Sequence, residues 1–325
     1  MSKVGLHIVL GRRDGYGAFL TKIAAAEQRL AVVKAVDDLS PLREAKRIIP
    51  TCLTVGRLNS ITDSTTGKTV DLQAFKPSDY PSARAAAERY FRLVSPTWLG
   101  EPLVDVWETF NEFSSDWAWQ GEFFVEMMNL AEPHGLRLSH YAFSTGNPPQ
   151  SVWPDLVPCL RETKRRGHFL STHEYGGVGT SISTLKGTEP NHALRYRRLY
   201  DFLRTQDANP QLIISECGQD AGCCFIGVDE FIADYAWYDA ELIRDPFVVG
   251  CCAWTLGTWN NANFTVALPA LADYIIAHPT PKSHRVYLPY VARETNNTSV
   301  KEYVAALALG SMAWIIDRRI KAREK

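Results

Sequence analysis

Val104-Asp-Val-Trp-Glu-Thr-Phe-Asn-Glu112 and Leu212-Ile-Ile-Ser-Glu216 are two apolar-rich runs that each stop at a glutamate. Short runs of this kind, bounded by polar or glycine-containing loops, read as parallel strands covered on both faces. Working outward from them, similar runs occur at Val4–Val9, Ala31–Val36, Cys52–Arg57, Arg137–Phe143, Phe169–Tyr175 and Val248–Trp254, with the fourth strand set at Val104–Asn111. Helix-like stretches separate them: Phe19–Gln28, Pro41–Ile48, Pro81–Val94, Trp117–Glu132, Val152–Arg166, His192–Thr205 and Val228–Asp245, with Thr265–Ala277 after the last strand. Eight strands alternating with eight helices predict an α/β protein of the (β/α)8 TIM-barrel class filling residues 1–278. An open doubly wound sheet is the structural competitor. Against it, the glycines of Gly11-Arg-Arg-Asp-Gly-Tyr-Gly17 do not fit the spacing of a dinucleotide or phosphate loop, so no nucleotide cofactor is implied.

The composition narrows the partners. Of 325 residues, 46% are hydrophobic and 22% charged, which excludes a disordered chain. Lys and Arg number 35 against 36 Asp and Glu, so the totals carry no electrostatic footprint for nucleic acid. The seven cysteines, with adjacent pairs at Cys223-Cys224 and Cys251-Cys252, suit buried free thiols; the spacing does not suit a disulfide framework or a structural zinc, and no metal is expected. The apolar run at the start, Val4 to Leu10, is too short for a secretory signal and reads as the first buried strand. The polar stretch Asn59–Ser78 predicts a long excursion in the third strand-to-helix connection. Beyond the barrel, residues 279–299 read as a linker and residues 300–325 as a terminal apolar and basic helix. The uncharged part of that helix, 303–316, would be about 21 Å long against the roughly 30 Å of a bilayer core. Docking on protein is the expected role, with membrane contact through 303–316 as the alternative.

A TIM barrel builds its active site at the C-terminal ends of its strands. The polar residues standing there are Asn111 and Glu112 after strand four, His173 and Tyr175 on strand six, Glu216 after strand seven and Trp254 after strand eight. Strands four and seven face each other across the mouth, so Glu112 and Glu216 can approach within a few ångströms. A carboxylate pair at about 5 Å is what double-displacement hydrolysis of a glycoside needs. The residues leave other readings open. Glu216 could be a buried ion-pair partner of Lys34 or Arg57. Glu108 could be the working acid, although it sits four residues deeper, and Glu174 alternates away from the site toward the helices. In the loops, Trp117 and Trp119, then Trp259, Asn260, Asn261 and Asn263, offer aromatic faces interleaved with amides, a surface suited to stacking on sugars.

The ordered set Asn111-Glu112, His173-x-Tyr175, Glu216 and Trp254 resembles the retaining β-glycoside hydrolases of clan A, and most closely the family 5 cellulase-like group. Phe113 stands where that family usually has proline. The resemblance spans Val4 to about His278 and implies a carbohydrate substrate, no cofactor, Glu112 as general acid/base and Glu216 as nucleophile. It further implies that Asn111 bonds the sugar 2-hydroxyl, Tyr175 donates to Glu216, His173 lines the subsite, Trp254 floors it, and Arg57 sits near the nucleophile. Two alternatives accompany this expectation: a cell-wall glycosidase of the phage-lysin type, and a carbohydrate-binding barrel without catalysis.

Overall fold

The computed structural model describes residues 2–178, 180–182 and 192–279. Apart from Pro279, the expected linker at 279–299 and helix at 300–325, including the apolar run 303–316, lie outside the described residues. Among the described residues no helix is long and apolar enough to cross a membrane.

Eight parallel strands close into a barrel: β1 (Val4–Ile8), β2 (Val32–Val36), β3 (Leu53–Arg57), β6 (Val106–Glu108), β7 (Leu138–Phe143), β8 (Phe169–Tyr175), β9 (Gln211–Gly218) and β10 (Val248–Leu256), with β1 pairing both β2 and β10. The helices outside it are α1 (Tyr16–Ala25), α2 (Ser40–Ile48), α3 (Ala83–Gly100), α4 (Trp117–Ala131), α5 (Trp153–Arg166), α6 (Tyr196–Thr205), α7 (Val228–Ile243) and α8 (Leu268–Ala277). The expected excursion after β3 carries an antiparallel hairpin, β4 (Ser60–Thr62) with β5 (Thr69–Asp71).

Strand pleating decides what fills the barrel. Side chains alternate between its interior and the helical layer, so Val32 and Lys34 share one face, as do Val55 and Arg57, Val106 and Glu108, and Phe169, Ser171, His173 and Tyr175. The lower interior is a compact apolar cluster of Val32, Leu53, Val55, Val106, Phe169, Ile213 and Cys252. Directly above it the same strands present charge: Lys34, Arg57 and Glu108 are all buried. A second and larger core lies between strands and helices, where Trp98 of α3 stacks on Trp107 of β6 with centroids 5.1 Å apart.

Several local expectations are corrected. The fourth barrel strand is Val106–Glu108 and does not reach Asn111, because the chain leaves the ladder at Thr109. Helix α3 continues past Val94 to Gly100 with Pro96 inside it, and α6 begins at Tyr196 and not at His192. All seven cysteines are free, as expected, but Cys223 is exposed and Cys224 half-buried, in the loop after β9.

Candidate active site

Glu216 reaches the barrel interior through a change of register. Thr172 of β8 faces Ile214 of β9, yet His173 faces Glu216, so β9 carries one extra residue there. A bulge of this kind turns two successive side chains to the same side. Ser215 and Glu216 accordingly both approach Lys34, whose Nζ donates to the Ser215 hydroxyl at 3.4 Å and to Glu216 Oε1 at 3.0 Å.

Glu216 is held from several strands at once. Its Oε1 also accepts from Arg57 Nη1 at 3.1 Å, and His7 Nε2 of β1 stands 3.4 Å away. Its Oε2 accepts from the Tyr175 hydroxyl at 2.9 Å and faces His173 Nδ1 at 3.5 Å. Burial pushes this carboxyl upward, but His173 and Lys34, joined by His7 in the acid range where that ring is protonated, outweigh it, so Glu216 lies well below the usual carboxylate range. Burial and the neighbouring Glu216 carboxylate push the Tyr175 phenol far above its ordinary value, which keeps it a donor. Burial also pulls His7 down to about 4, so at neutral pH its imidazole is uncharged. The His7 ring lies 4.4 Å from the Trp254 indole, tilted by 36°.

Below Glu216, Glu108 Oε1 accepts from Lys34 at 2.5 Å and from Arg57 at 3.3 Å. Burial raises Glu108, and Lys34 and Arg57 more than cancel that effect, bringing it to about 2. Two cations and two carboxylates thus balance within the buried layer, the condition under which charges persist away from water.

Glu112 follows a different route. Beyond the end of β6 it takes a left-handed backbone conformation, φ 55°, and its N–H donates to Ala142 O at 3.1 Å. Ala142, which accepts that bond, and the preceding Tyr141 of β7 have positive φ as well, so the backbone on both sides of the bond lies in a costly region. The Glu112 side chain is 40% exposed, and its Oε1 pairs with His173 Nδ1 at 2.8 Å. That one nitrogen stands between the two glutamates. Their nearest oxygens are therefore no farther apart than the sum of the two His173 distances, about 6.3 Å. Asn111 is fixed next to them, its Oδ1 accepting from Arg57 Nη1 and its N–H donating to Gln73 Oε1 at 2.6 Å.

Trp254 closes one side. Its Nε1 donates to Gly222 O at 3.0 Å, and its ring meets Tyr175 edge-on at 6.2 Å. Gly222, at φ +78°, permits this approach: a Cβ there would come within 3.0 Å of the Tyr175 ring and 3.3 Å of Trp254 Nε1.

No protein-family model and no curated protein sequence matches the chain. Solved structures do match. The endoglucanase Cel5A of Pseudomonas stutzeri aligns at 12% identity over 87% of this chain and 95% of its own, with a TM-score of 0.50. The endo-β-1,4-mannanase of Thermotoga petrophila aligns at 13% identity over 88% and 78%, with a TM-score of 0.49. A β-mannanase of Streptomyces thermolilacinus with mannohexaose aligns at 14% identity over 90% and 93%, with a TM-score of 0.42. The fold shared with the endoglucanase is the (β/α)8 barrel.

Within the barrel, Asn111, Glu112, His173, Tyr175, Glu216, Trp254 and Arg57 form one cluster linked by the contacts above. Trp259 borders it, half exposed and edge-on to Trp254 at 5.8 Å, and Asn260 follows in an exposed left-handed turn at φ 47°. Trp117 stands apart: it is 8% exposed and packs against Phe143 at the start of α4, leaving no flat face for a sugar. Trp119 likewise stacks on Phe123. Glu174 turns outward as alternation requires and accepts from Leu194 N–H at 2.7 Å and from the Tyr238 hydroxyl. The ion pairs weighed for Glu216 are both present, with Lys34 at 3.0 Å and Arg57 at 3.1 Å. Two cluster residues were not marked by sequence: His7 announces itself only as a polar residue on the inward parity of an apolar strand. Gln73, in the loop after the hairpin, carries no sequence signal at all.

Proposed function

We propose that the protein is a retaining β-glycoside hydrolase that cleaves a polysaccharide or oligosaccharide by double displacement. The observation that carries this reading is the pair of glutamates bridged by His173 Nδ1, at 2.8 Å from Glu112 and 3.5 Å from Glu216. The resulting limit, set between their nearest oxygens, admits the roughly 5–5.5 Å carboxyl separation of a retaining pair. The asymmetry of the pair supports the assignment of roles. Glu216, buried and held as an anion, attacks the anomeric carbon as nucleophile. Glu112, open to solvent, gives its proton to the departing oxygen and then takes one from the water that releases the sugar from Glu216.

The remaining residues fit around that chemistry. With Oδ1 of Asn111 engaged by Arg57, its amide nitrogen is the group that donates to the sugar 2-hydroxyl. Tyr175 orients Glu216, His173 fixes the two carboxylates relative to each other, and Trp254 forms an apolar floor, with Trp259 and Asn260 extending it outward. The likeness to Cel5A, an endoglucanase, favours a β-glucan or a related glycan. The test is Glu216→Ala supplied with azide on a substrate carrying a good leaving group. Formation of a glycosyl azide of inverted configuration is expected, and its absence with folded protein removes Glu216 from the nucleophile's role. Digestion of β-glucans, mannans and bacterial cell wall, with product analysis, then separates the substrate classes; saturable binding without cleavage would indicate a carbohydrate-binding barrel.

A further inference from the structure

Lys34 is the feature that the proposed chemistry does not use. It is a lysine in the middle of Val32-Val-Lys-Ala-Val36, fully buried inside the barrel, where an ammonium group persists only if anions face it. Two do. Lys34 Nζ bridges Oε1 of Glu108 at 2.5 Å and Oε1 of Glu216 at 3.0 Å, and Arg57 Nη1 bridges the same two oxygens at 3.3 and 3.1 Å. The four groups come from four strands, β2, β3, β6 and β9, and close a ring. The ring engages only one oxygen of Glu216. The other, Oε2, is left toward Tyr175 and His173, on the side of Glu112.

We propose that Lys34 and Glu108 are positioning residues for Glu216: the ring anchors Oε1 to the barrel interior, fixes the carboxylate in its ionised form, and presents Oε2 as the attacking oxygen. This deepens the glycosidase reading and rests on Glu216 being the nucleophile. The charge count explains why both members are needed. The groups facing Glu216 are His7 from β1, Lys34 from β2, Arg57 from β3, Glu108 from β6, His173 and Tyr175 from β8, and Glu112 beyond β6. Within the ring itself Lys34 and Arg57 are two cations facing the two carboxylates Glu108 and Glu216, and His7 adds no charge above about pH 4. Removing Lys34 leaves Arg57 to serve both Glu108 and Glu216, and the surplus negative charge draws a proton onto the pair. Removing Glu108 as well restores one cation for one carboxylate.

The experiment is the pH profile of kcat/KM for wild type, Lys34→Met, Glu108→Gln and the double variant on a p-nitrophenyl β-glycoside that the wild type cleaves, with circular dichroism as the check on folding. The acid limb reports the ionisation of the nucleophile in the free enzyme. Lys34→Met should move that limb upward by about one pH unit or more, the effect of losing an opposite charge within hydrogen-bond reach. Adding Glu108→Gln should return it most of the way, and Lys34→Arg should keep it near wild type. A purely structural role predicts that the double variant is at least as impaired as Lys34→Met with the limb unmoved, and that result overturns the proposal. Where Lys34→Met alone does not fold, Glu108→Gln carries the test: its acid limb should lie at or below that of wild type, and an upward shift overturns the proposal. Azide rescue of Glu216→Ala keeps the two levels apart. Rescue without the pH behaviour removes the ring's role alone; no rescue removes the assignment of Glu216 on which it rests.

Discussion

Val32 and Lys34 stand two residues apart on one face of the same strand, and so do Val55 and Arg57, and Val106 and Glu108. The lower member of each pair belongs to an apolar plug, and the upper member to a layer of charges. In the plug, packing is nondirectional, and each side chain removed from water contributes about 1.5–3 kcal/mol. In the charged layer every group depends on a specific partner from another strand, and any one left alone would cost several kcal/mol. A single pleat thus divides the part of the barrel that holds it together from the part that carries the candidate site. The division is enforced at Glu216, where a bulge in β9 overrides alternation and adds a carboxylate to the charged layer.

The largest expected effect breaks the upper layer. Glu216→Ala should lower kcat by about ten-thousand-fold or more, the scale seen when a nucleophile is removed. Glu112→Ala should lose on the order of a hundred- to ten-thousand-fold on a substrate with a poor leaving group, and far less on one that needs no proton, as comparison of alkyl and dinitrophenyl glycosides would show. The matching break in the lower layer is Phe169→Ala. It removes a fully buried ring and should cost about 3–5 kcal/mol in denaturant unfolding, with kcat/KM little changed at temperatures where the variant stays folded. If Phe169→Ala abolished activity in the folded state, the two layers would not be separable.

This separation also explains what could be read in advance. The strand count and most strand positions were legible because parallel strands covered on both faces are short and almost uniformly apolar. Asn111, Glu112, His173, Tyr175 and Trp254 were legible because each is polar or aromatic where such a run ends. The bulge was not, since strict alternation along Ile213, Ser215 and Cys217 places Glu216 on the helical side. Lys34 and Glu108 were visible as charges inside apolar runs, but only the closed barrel shows that they meet. Trp117 was less legible because aromatic residues that follow a strand at the barrel mouth look alike whether they face a ligand or seat a helix. In this structure it is buried against Phe143.

Glu174 tests the boundary from the outer side of β8. Burial raises its carboxyl from 4.5 to about 7, against the hydrogen bonds from Tyr238, Leu194 and Tyr196 that favour the charged form. An unfolded chain releases this proton near 4.5 and the folded chain near 7, so between those values the folded state holds the extra proton. Stability contributed by this group is therefore present at low pH, declines as pH rises through that window, and levels off above it, by up to about 3 kcal/mol in total. Glu174→Gln should flatten the slope of unfolding free energy between pH 5 and 7. An unchanged slope would mean that the site is wetter than its burial indicates.

The smallest effect lies at the rim, where Trp259 and Trp117 make a matched pair of one exposed and one buried indole. Trp259 is 50% exposed and touches the floor ring Trp254 edge-on, so its free face can stack on a sugar one unit away from the reacting one. Trp259→Ala should therefore raise KM for an oligosaccharide several-fold while leaving kcat and thermal stability near wild type. Trp117→Ala should do the reverse, lowering the melting temperature through the lost contact with Phe143 and leaving KM unchanged. If both variants raise KM alike, Trp117 must turn outward when substrate binds, and the sugar-stacking surface extends from β10 around the mouth to the start of α4. If neither does, the stacking contribution to binding falls on Trp254 alone, whose ring meets Tyr175 beside Glu216.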